Sequence, residues 1–125
     1  MFDRYMIVED SLRSTDQGFA FDIRITYYRG VALSLIEGFE VTVDGQPVPR
    51  DTIRFVLRGV AYTQAELDHD TDGRWEFGEI ATLVVEWPGG LSSGVHTIEA
   101  AQQLRISYLP GPLRGQDTKT LLLAG

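Results

Sequence analysis

Residues Arg74 to Pro110 read R-W-E-F-G-E-I-A-T-L-V-V-E-W-P-G-G-L-S-S-G-V-H-T-I-E-A-A-Q-Q-L-R-I-S-Y-L-P, and the alternation inside this stretch decides the fold. It reads as two antiparallel strands, Glu79 to Trp87 and Val95 to Tyr108, joined by a fixed turn. In the second strand His96, Ile98, Ala100, Leu104, Ile106 and Tyr108 share one face, while Thr97, Glu99, Gln103, Arg105 and Ser107 take the other. That period of two belongs to a half-buried strand. Gln102 falls on the apolar side, a position that a nearby bulge would explain.

The same period recurs upstream. From Phe19 to Tyr28 the residues Phe19, Phe21, Ile23, Ile25 and Tyr27 alternate with Ala20, Asp22, Arg24, Thr26 and Tyr28. Phe39 to Val43 is a further strand, and Asp44-Gly45 after it signals a hairpin, because both central residues of a type I′ turn need positive φ. Pro47 and Pro49 confine the return strand to a sheet edge, since proline offers no ladder donor. Thr52 to Leu57 completes the set. Only Thr63 to Leu67 looks helical, with Thr63 and Glu66 at capping-box spacing. Short strands between glycine and proline turns predict an all-β, antiparallel two-sheet β-sandwich with at most one short helical turn. The chain, 1–125, is expected to be one such domain, with 110–125 a C-terminal arm: irregular from Pro110 to Asp117, then the apolar Leu121, Leu122 and Leu123, which must be buried in this sandwich or on another chain.

Composition bounds the function. The 125 residues are 43% hydrophobic, enough to close one core. The formal net charge of −7 argues against nucleic acid, which demands a positive field. Most of that charge lies between Glu66 and Glu79, where Glu66, Asp68, Asp70, Asp72, Glu76 and Glu79 face Arg74 alone. Without cysteine there is no disulfide framework, thiolate zinc site or cysteine nucleophile, so the cytoplasm is the expected location. Met1 to Asp10 holds no basic and apolar leader, and the longest apolar runs are too short to cross a bilayer, so neither secretion nor a membrane is expected.

No residue constellation announces a reaction by itself. Asp68, Asp70, Asp72, Gly73 and Glu79 match a twelve-residue calcium loop, in which alternate carboxylates wrap a hard cation. The flanking helices of such a loop are missing, since Ile80 to Trp87 alternates as a strand, so the segment reads as a solvated acidic turn with calcium binding as the competing reading. Ser92, Ser93, His96 and Glu99 lie close in sequence but no elbow motif holds them as a catalytic triad, and nothing singles out a carboxylate pair for glycoside hydrolysis.

The aromatic and glycine pattern is more specific. Tyr27-Tyr28-Arg29-Gly30, Asp44-Gly45, Arg74-Trp75-Glu76-Phe77-Gly78, Pro88-Gly89-Gly90-Leu91 with Gly94 and His96, and Arg105-Ile106-Ser107-Tyr108-Leu109-Pro110 occur in this order. Together they resemble the β subunit of bacterial C-glycoside deglycosidases, which cut the carbon–carbon bond between a sugar and a flavonoid-like aglycone. The resemblance spans about two thirds of the chain, Tyr27 to Pro110. It implies a non-catalytic partner in a heterodimer or higher α/β oligomer, whose TIM-barrel α subunit holds a divalent metal, manganese (Mn2+), with no cofactor in this chain. The implied substrate is a 3-oxo-C-glucoside, cleaved by elimination: the C3 ketone acidifies the C2 hydrogen, a base forms the enolate, and the aglycone carbon leaves C1 with a proton from an acid. The expected role of this chain is to stabilise the complex and help close the active site. Interface candidates are Tyr27, Tyr28, Arg29, Trp75, Phe77, Tyr108 and Pro110, with Arg114, Leu121, Leu122 and Leu123 of the arm. For Trp75, Phe77 and Trp87 core packing is the competing reading. A stand-alone carbohydrate- or calcium-binding β-sandwich module and an independent small hydrolase are the rival classes.

Overall fold

The computed structural model describes residues 2–124. In chain order the strands are β1 (Arg13–Thr15), β2 (Gly18–Ile23), β3 (Val31–Ala32), β4 (Ile36–Val43), β5 (Gln46–Pro47), β6 (Ile53–Leu57), β7 (Val60–Tyr62), β8 (Arg74–Trp75), β9 (Ala81–Glu86), β10 (Gly94–Leu104) and β11 (Leu113–Leu123). Among the described residues one α-helix, α1 (Gln64–His69), stands between β7 and β8, and short 3-10 turns lie at Asp3–Tyr5, Leu33–Leu35 and Arg50–Thr52. Helix α1 begins at the expected capping box: Thr63 Oγ accepts the Glu66 N–H, and the Glu66 carboxylate accepts the Thr63 N–H. All the pairings are antiparallel, in a sheet ordered β1-β2-β9-β6-β7, a second ordered β11-β10-β4-β5, and the short ladder β3-β8. The fold is an all-β sandwich. Its two main sheets share one apolar core, in which Phe39 of β4 stacks on Phe55 of β6 at 5.4 Å and Trp75 meets Phe55 edge-on at 5.2 Å.

β9 and β10 are not hydrogen-bonded neighbours, which corrects the hairpin reading of the opening stretch. β9 lies between β2 and β6, whereas β10 lies between β4 and β11 in the other sheet. The connection through Pro88, Gly89 and Gly90 therefore carries the chain from one layer to the other, and each strand buries one apolar face against the layer opposite. By contrast Asp44 (φ 48°) and Gly45 (φ 82°) form the expected positive-φ hairpin, with Gln46–Pro47 as its edge return.

Two expected strands stop short. β2 ends at Ile23, beyond which the Arg24 N–H turns to the Met6 carbonyl at 2.8 Å and the Thr26 N–H to the Gln102 side chain at 2.9 Å instead of a neighbouring strand. β10 ends at Leu104, where the Arg105 N–H turns to the Leu35 carbonyl and a turn closes from the Ile106 carbonyl to the Leu109 N–H. Gln102 itself stays in register on the inner face; the bulge lies one residue on, where Gln103 pairs Gly38 but Leu104 pairs Ile36.

The largest correction is at the C-terminus. The stretch expected as an irregular arm becomes β11, paired with β10 over its whole length from Leu113↔Leu104 to Leu123↔Gly94. Its inner positions 115, 117 and 119 hold Gly, Asp and Lys, so no apolar period is visible there. Those positions face the N-terminal segment: the Asp117 carboxylate accepts the Ile7 N–H at 3.0 Å, and the Lys119 ammonium donates to the Arg4 carbonyl at 2.6 Å. On the open side of β11 the Asp3 carboxylate accepts the Gln116 N–H at 3.1 Å. The N-terminal segment thus lies along the first half of this edge strand.

Candidate functional site

One end of the sandwich gathers the aromatic residues singled out in the sequence. Loop 24–30 leaves β2, loop 105–112 joins β10 to β11, and the turn 76–79 follows β8. Gln102 fixes the first loop from within: its amide oxygen accepts the Thr26 N–H at 2.9 Å and the Thr26 hydroxyl at 3.2 Å, and its nitrogen donates to the Arg24 carbonyl at 3.0 Å. Gly115 closes over the same threonine, and a Cβ there would lie 2.2 Å from Thr26 Oγ1. A side chain at 115 would force the loop outward.

With the loop held, Tyr27 is buried and points its hydroxyl at the hydroxyl of Tyr108. Tyr28 reaches that same hydroxyl at 3.3 Å and packs on Tyr27 at 4.6 Å between ring centroids. The Arg29 guanidinium lies 5.1 Å over the Tyr28 ring. Tyr28 is 42% exposed and Tyr108 64% exposed, so both are anchored from behind yet open to solvent. Phe77 occupies the turn closed by the Glu79 N–H to the Glu76 carbonyl, with Gly78 at φ 83°, and it meets Phe2 edge-on at 5.3 Å. Phe77 is 52% exposed. The Phe2 N–H donates to the Thr26 carbonyl, so this second aromatic pair adjoins the tyrosine loop.

The remaining interface candidates, Pro110 apart, lie elsewhere. Trp75 is fully buried, donates its indole N–H to the Glu79 carbonyl at 2.9 Å and packs against the stacked Phe39 and Phe55. Its side chain is a core element. Pro110 is exposed at the rim of loop 105–112. Arg114 shares the Glu40 carboxylate with Arg50, at 2.7 and 2.8 Å, on the outer face of the second sheet. Leu121 and Leu123 are buried in the core, while Leu122 is exposed opposite Val95.

The acidic loop does not converge. Asp70 turns inward and its carboxylate accepts the N–H groups of Asp72 and Gly73, at 3.2 and 2.7 Å. Asp68 accepts from the Gln64 amide at 2.9 Å, and Glu79 pairs with Arg58 while accepting the Glu76 N–H at 3.0 Å. Among the described residues no group of three or more His, Asp or Glu side chains is placed to hold a metal ion.

Ser92 and Ser93 form no triad with His96. That imidazole is buried, with Nδ1 2.6 Å from an Asp44 carboxylate oxygen and Nε2 2.7 Å from the Ser92 carbonyl. Both ring nitrogens face acceptors, so the hydrogen bond to the Asp44 carboxylate first and that to the Ser92 carbonyl second hold the histidine pKa above its ordinary value. Asp44 also accepts the Thr97 N–H at 2.8 Å and has its own pKa lowered, chiefly by His96. The roles of Gln102 and His96 were unassigned in the sequence, although a glutamine and a histidine on an apolar strand face were the visible signal. No helix among the described residues is long and apolar enough to cross a membrane.

A family model described as C-glycoside deglycosidase beta subunit matches residues 2–108. A C-glycoside deglycosidase beta subunit from Eubacterium cellulosolvens is 38% identical over 93 residues, covering 74% of this chain and 63% of that protein's length, so the match spans less than two thirds of that relative. A 3'-dehydrocarminate deglycosidase beta subunit from a Microbacterium species is 39% identical over 111 residues, 88% of this chain and 83% of that one. A C-glycoside deglycosidase beta subunit from Arthrobacter globiformis is 30% identical over 125 residues and covers 95% of each chain.

Proposed function

Because the chain belongs to the C-glycoside deglycosidase beta subunit family, we propose that it is the β subunit of a heteromeric enzyme that cleaves the carbon–carbon bond of 3-oxo-C-glucosides. The observation that carries this reading is the family match across residues 2–108, which includes both main sheets up to β10 and the whole tyrosine cluster. The name of the Microbacterium relative, with its 3'-dehydro sugar, supports an oxidised sugar as substrate.

In this reading a TIM-barrel α subunit carries catalysis and a divalent metal, manganese, in a heterodimer or higher α/β oligomer in the cytoplasm. The donor set of this chain does not fit that metal, because Asp68, Asp70 and Glu79 are each bound to the fold through a different contact. The reaction is an elimination. A base removes the C2 proton acidified by the C3 ketone, the electrons flow as the C1–aryl bond breaks, and the aglycone carbon receives a proton from an acid. This chain contributes a stiff sandwich that stabilises the complex and closes the active site against water, which strengthens the electrostatics inside.

Release of aglycone from a 3-oxo-C-glucoside, followed by chromatography with mass detection, tests the proposal. The purified chain alone should release none, and addition of the α subunit should restore turnover. Turnover by this chain with no α subunit detectable by mass spectrometry overturns it.

A further inference from the structure

We propose that the sandwich docks on its α subunit through the tyrosine and arginine platform of loops 24–30 and 105–112, and that the surface it meets is acidic. The inference rests on the subunit reading above and adds the face used and the chemistry of the partner surface.

Charge distribution is the first support. The chain carries −7, yet no Asp or Glu occurs from Ile23 to Ile36 or from Ala100 to Gln116. These two runs hold Arg24, Arg29, Arg105 and Arg114, and the contact of Tyr27 with Tyr108 brings their loops together. Arg114 is bound to Glu40, and Arg24 donates to the Tyr5 carbonyl at 3.4 Å. Arg29 and Arg105 are exposed, and neither is in ion-pair contact with a carboxylate among the described residues. Glu76, whose carboxylate lies against Gly30, is itself paired with Arg74 at 2.8 Å. The platform is thus a cationic end on an anionic protein. An acidic partner is repelled by most of this surface and attracted here, which selects orientation as well as affinity.

Preorganisation is the second support. Exposed tyrosine and arginine are the side chains that dominate binding energy when they are held rigid, because little rotamer entropy remains to be lost on association. Tyr108 is pinned by two phenol hydroxyls, Tyr28 is packed between Tyr27 and Arg29, and the loop beneath them is tied to Gln102 inside the core. Trp75, by comparison, offers a partner nothing, being buried in the free chain.

The test measures binding of the α subunit to wild type and to R29E, R105E, Y108A and Y108F, with L122S as a control on the outer face of β11 and thermal melts to verify folding. Y108A is expected to weaken binding by roughly 30-fold or more, as for a central aromatic anchor, with Y108F intermediate. R29E and R105E should slow association by about 10-fold at low salt, with the gap from wild type closing as salt rises, and L122S should bind like wild type. If wild type forms no complex, the subunit reading itself fails. If wild type binds and the folded platform variants bind equally well, or if L122S alone is impaired, the docking face is overturned while the subunit reading stands. Self-association of the isolated chain that R29E abolishes would also overturn it, by assigning the platform to a second copy.

Discussion

Gln102 and His96 are two of the four polar side chains buried among the described residues, beside Ser11 and Thr26, and each finds its partners inside the fold. Removing the Gln102 amide would leave the Thr26 N–H and the Arg24 carbonyl without their partners inside the protein. Q102L is therefore expected to cost about 2–4 kcal/mol in urea unfolding despite its greater apolarity, since a stranded buried polar group loses its full desolvation energy. An unchanged midpoint would show that the loop is held by other means. His96 makes a pH prediction. Its folded pKa is raised above the ordinary 6.5, so its contribution is complete below that value and is lost as pH rises through the folded pKa. Asp44, lowered from 3.8, contributes above that value and loses its effect as pH falls. Wild type should consequently lose stability relative to H96N as pH is raised from about 6 to about 9, read from denaturant midpoints. A constant difference across that range would mean that folding leaves the imidazole pKa unshifted.

At the scale of elements, legibility followed the chemistry of each position. The Asp44-Gly45 hairpin and the Thr63 cap were visible because their residue types answer a single backbone demand. The β6–β7 hairpin was not, because its left-handed positions hold Arg58 (φ 49°) and Gly59, and an arginine there reads as nothing in particular. Its guanidinium compensates by pairing with Glu79 and donating to the Arg74 carbonyl at 2.9 Å, a contact visible only in three dimensions. β11 was hidden for a related reason, since its inner Asp117 and Lys119 serve the N-terminal segment rather than the apolar core. The tyrosine cluster was legible as a set of residues, but not as one place, because Tyr27 and Tyr108 lie 81 positions apart. Strand β11 now makes a sharp contrast between neighbours. L121A should destabilise by about 2–4 kcal/mol as a core truncation, whereas L122S, on the exposed face, should change stability by less than about 1 kcal/mol. Equal effects would deny that the C-terminal leucines belong to a half-buried strand.

For the molecule as a whole, the sandwich was readable from alternation and turn residues, while the allocation of strands to layers was not. Alternation says which face of a strand is buried but not which strand lies beside it, and so β9 and β10 could pass for a hairpin. The same topology leaves four ends to the two main sheets. β1, β5 and β7 are edges of two or three residues, too short to recruit much, but β11 runs for eleven. The strap of residues 3–7 along its first half therefore has a colloidal meaning: it keeps a row of backbone donors and acceptors from acting as a template for foreign strands. Deleting residues 1–5 should yield a chain that still folds but forms higher-mass species as concentration rises, seen by light scattering, with the wild type remaining clear under the same conditions. If the shortened chain scatters no more than the wild type, the outer half of β11 is sheltered in some other way. Should it scatter more, as expected, the solubility of this protein is lodged in the strap of residues 3–7 rather than in the sandwich beneath it.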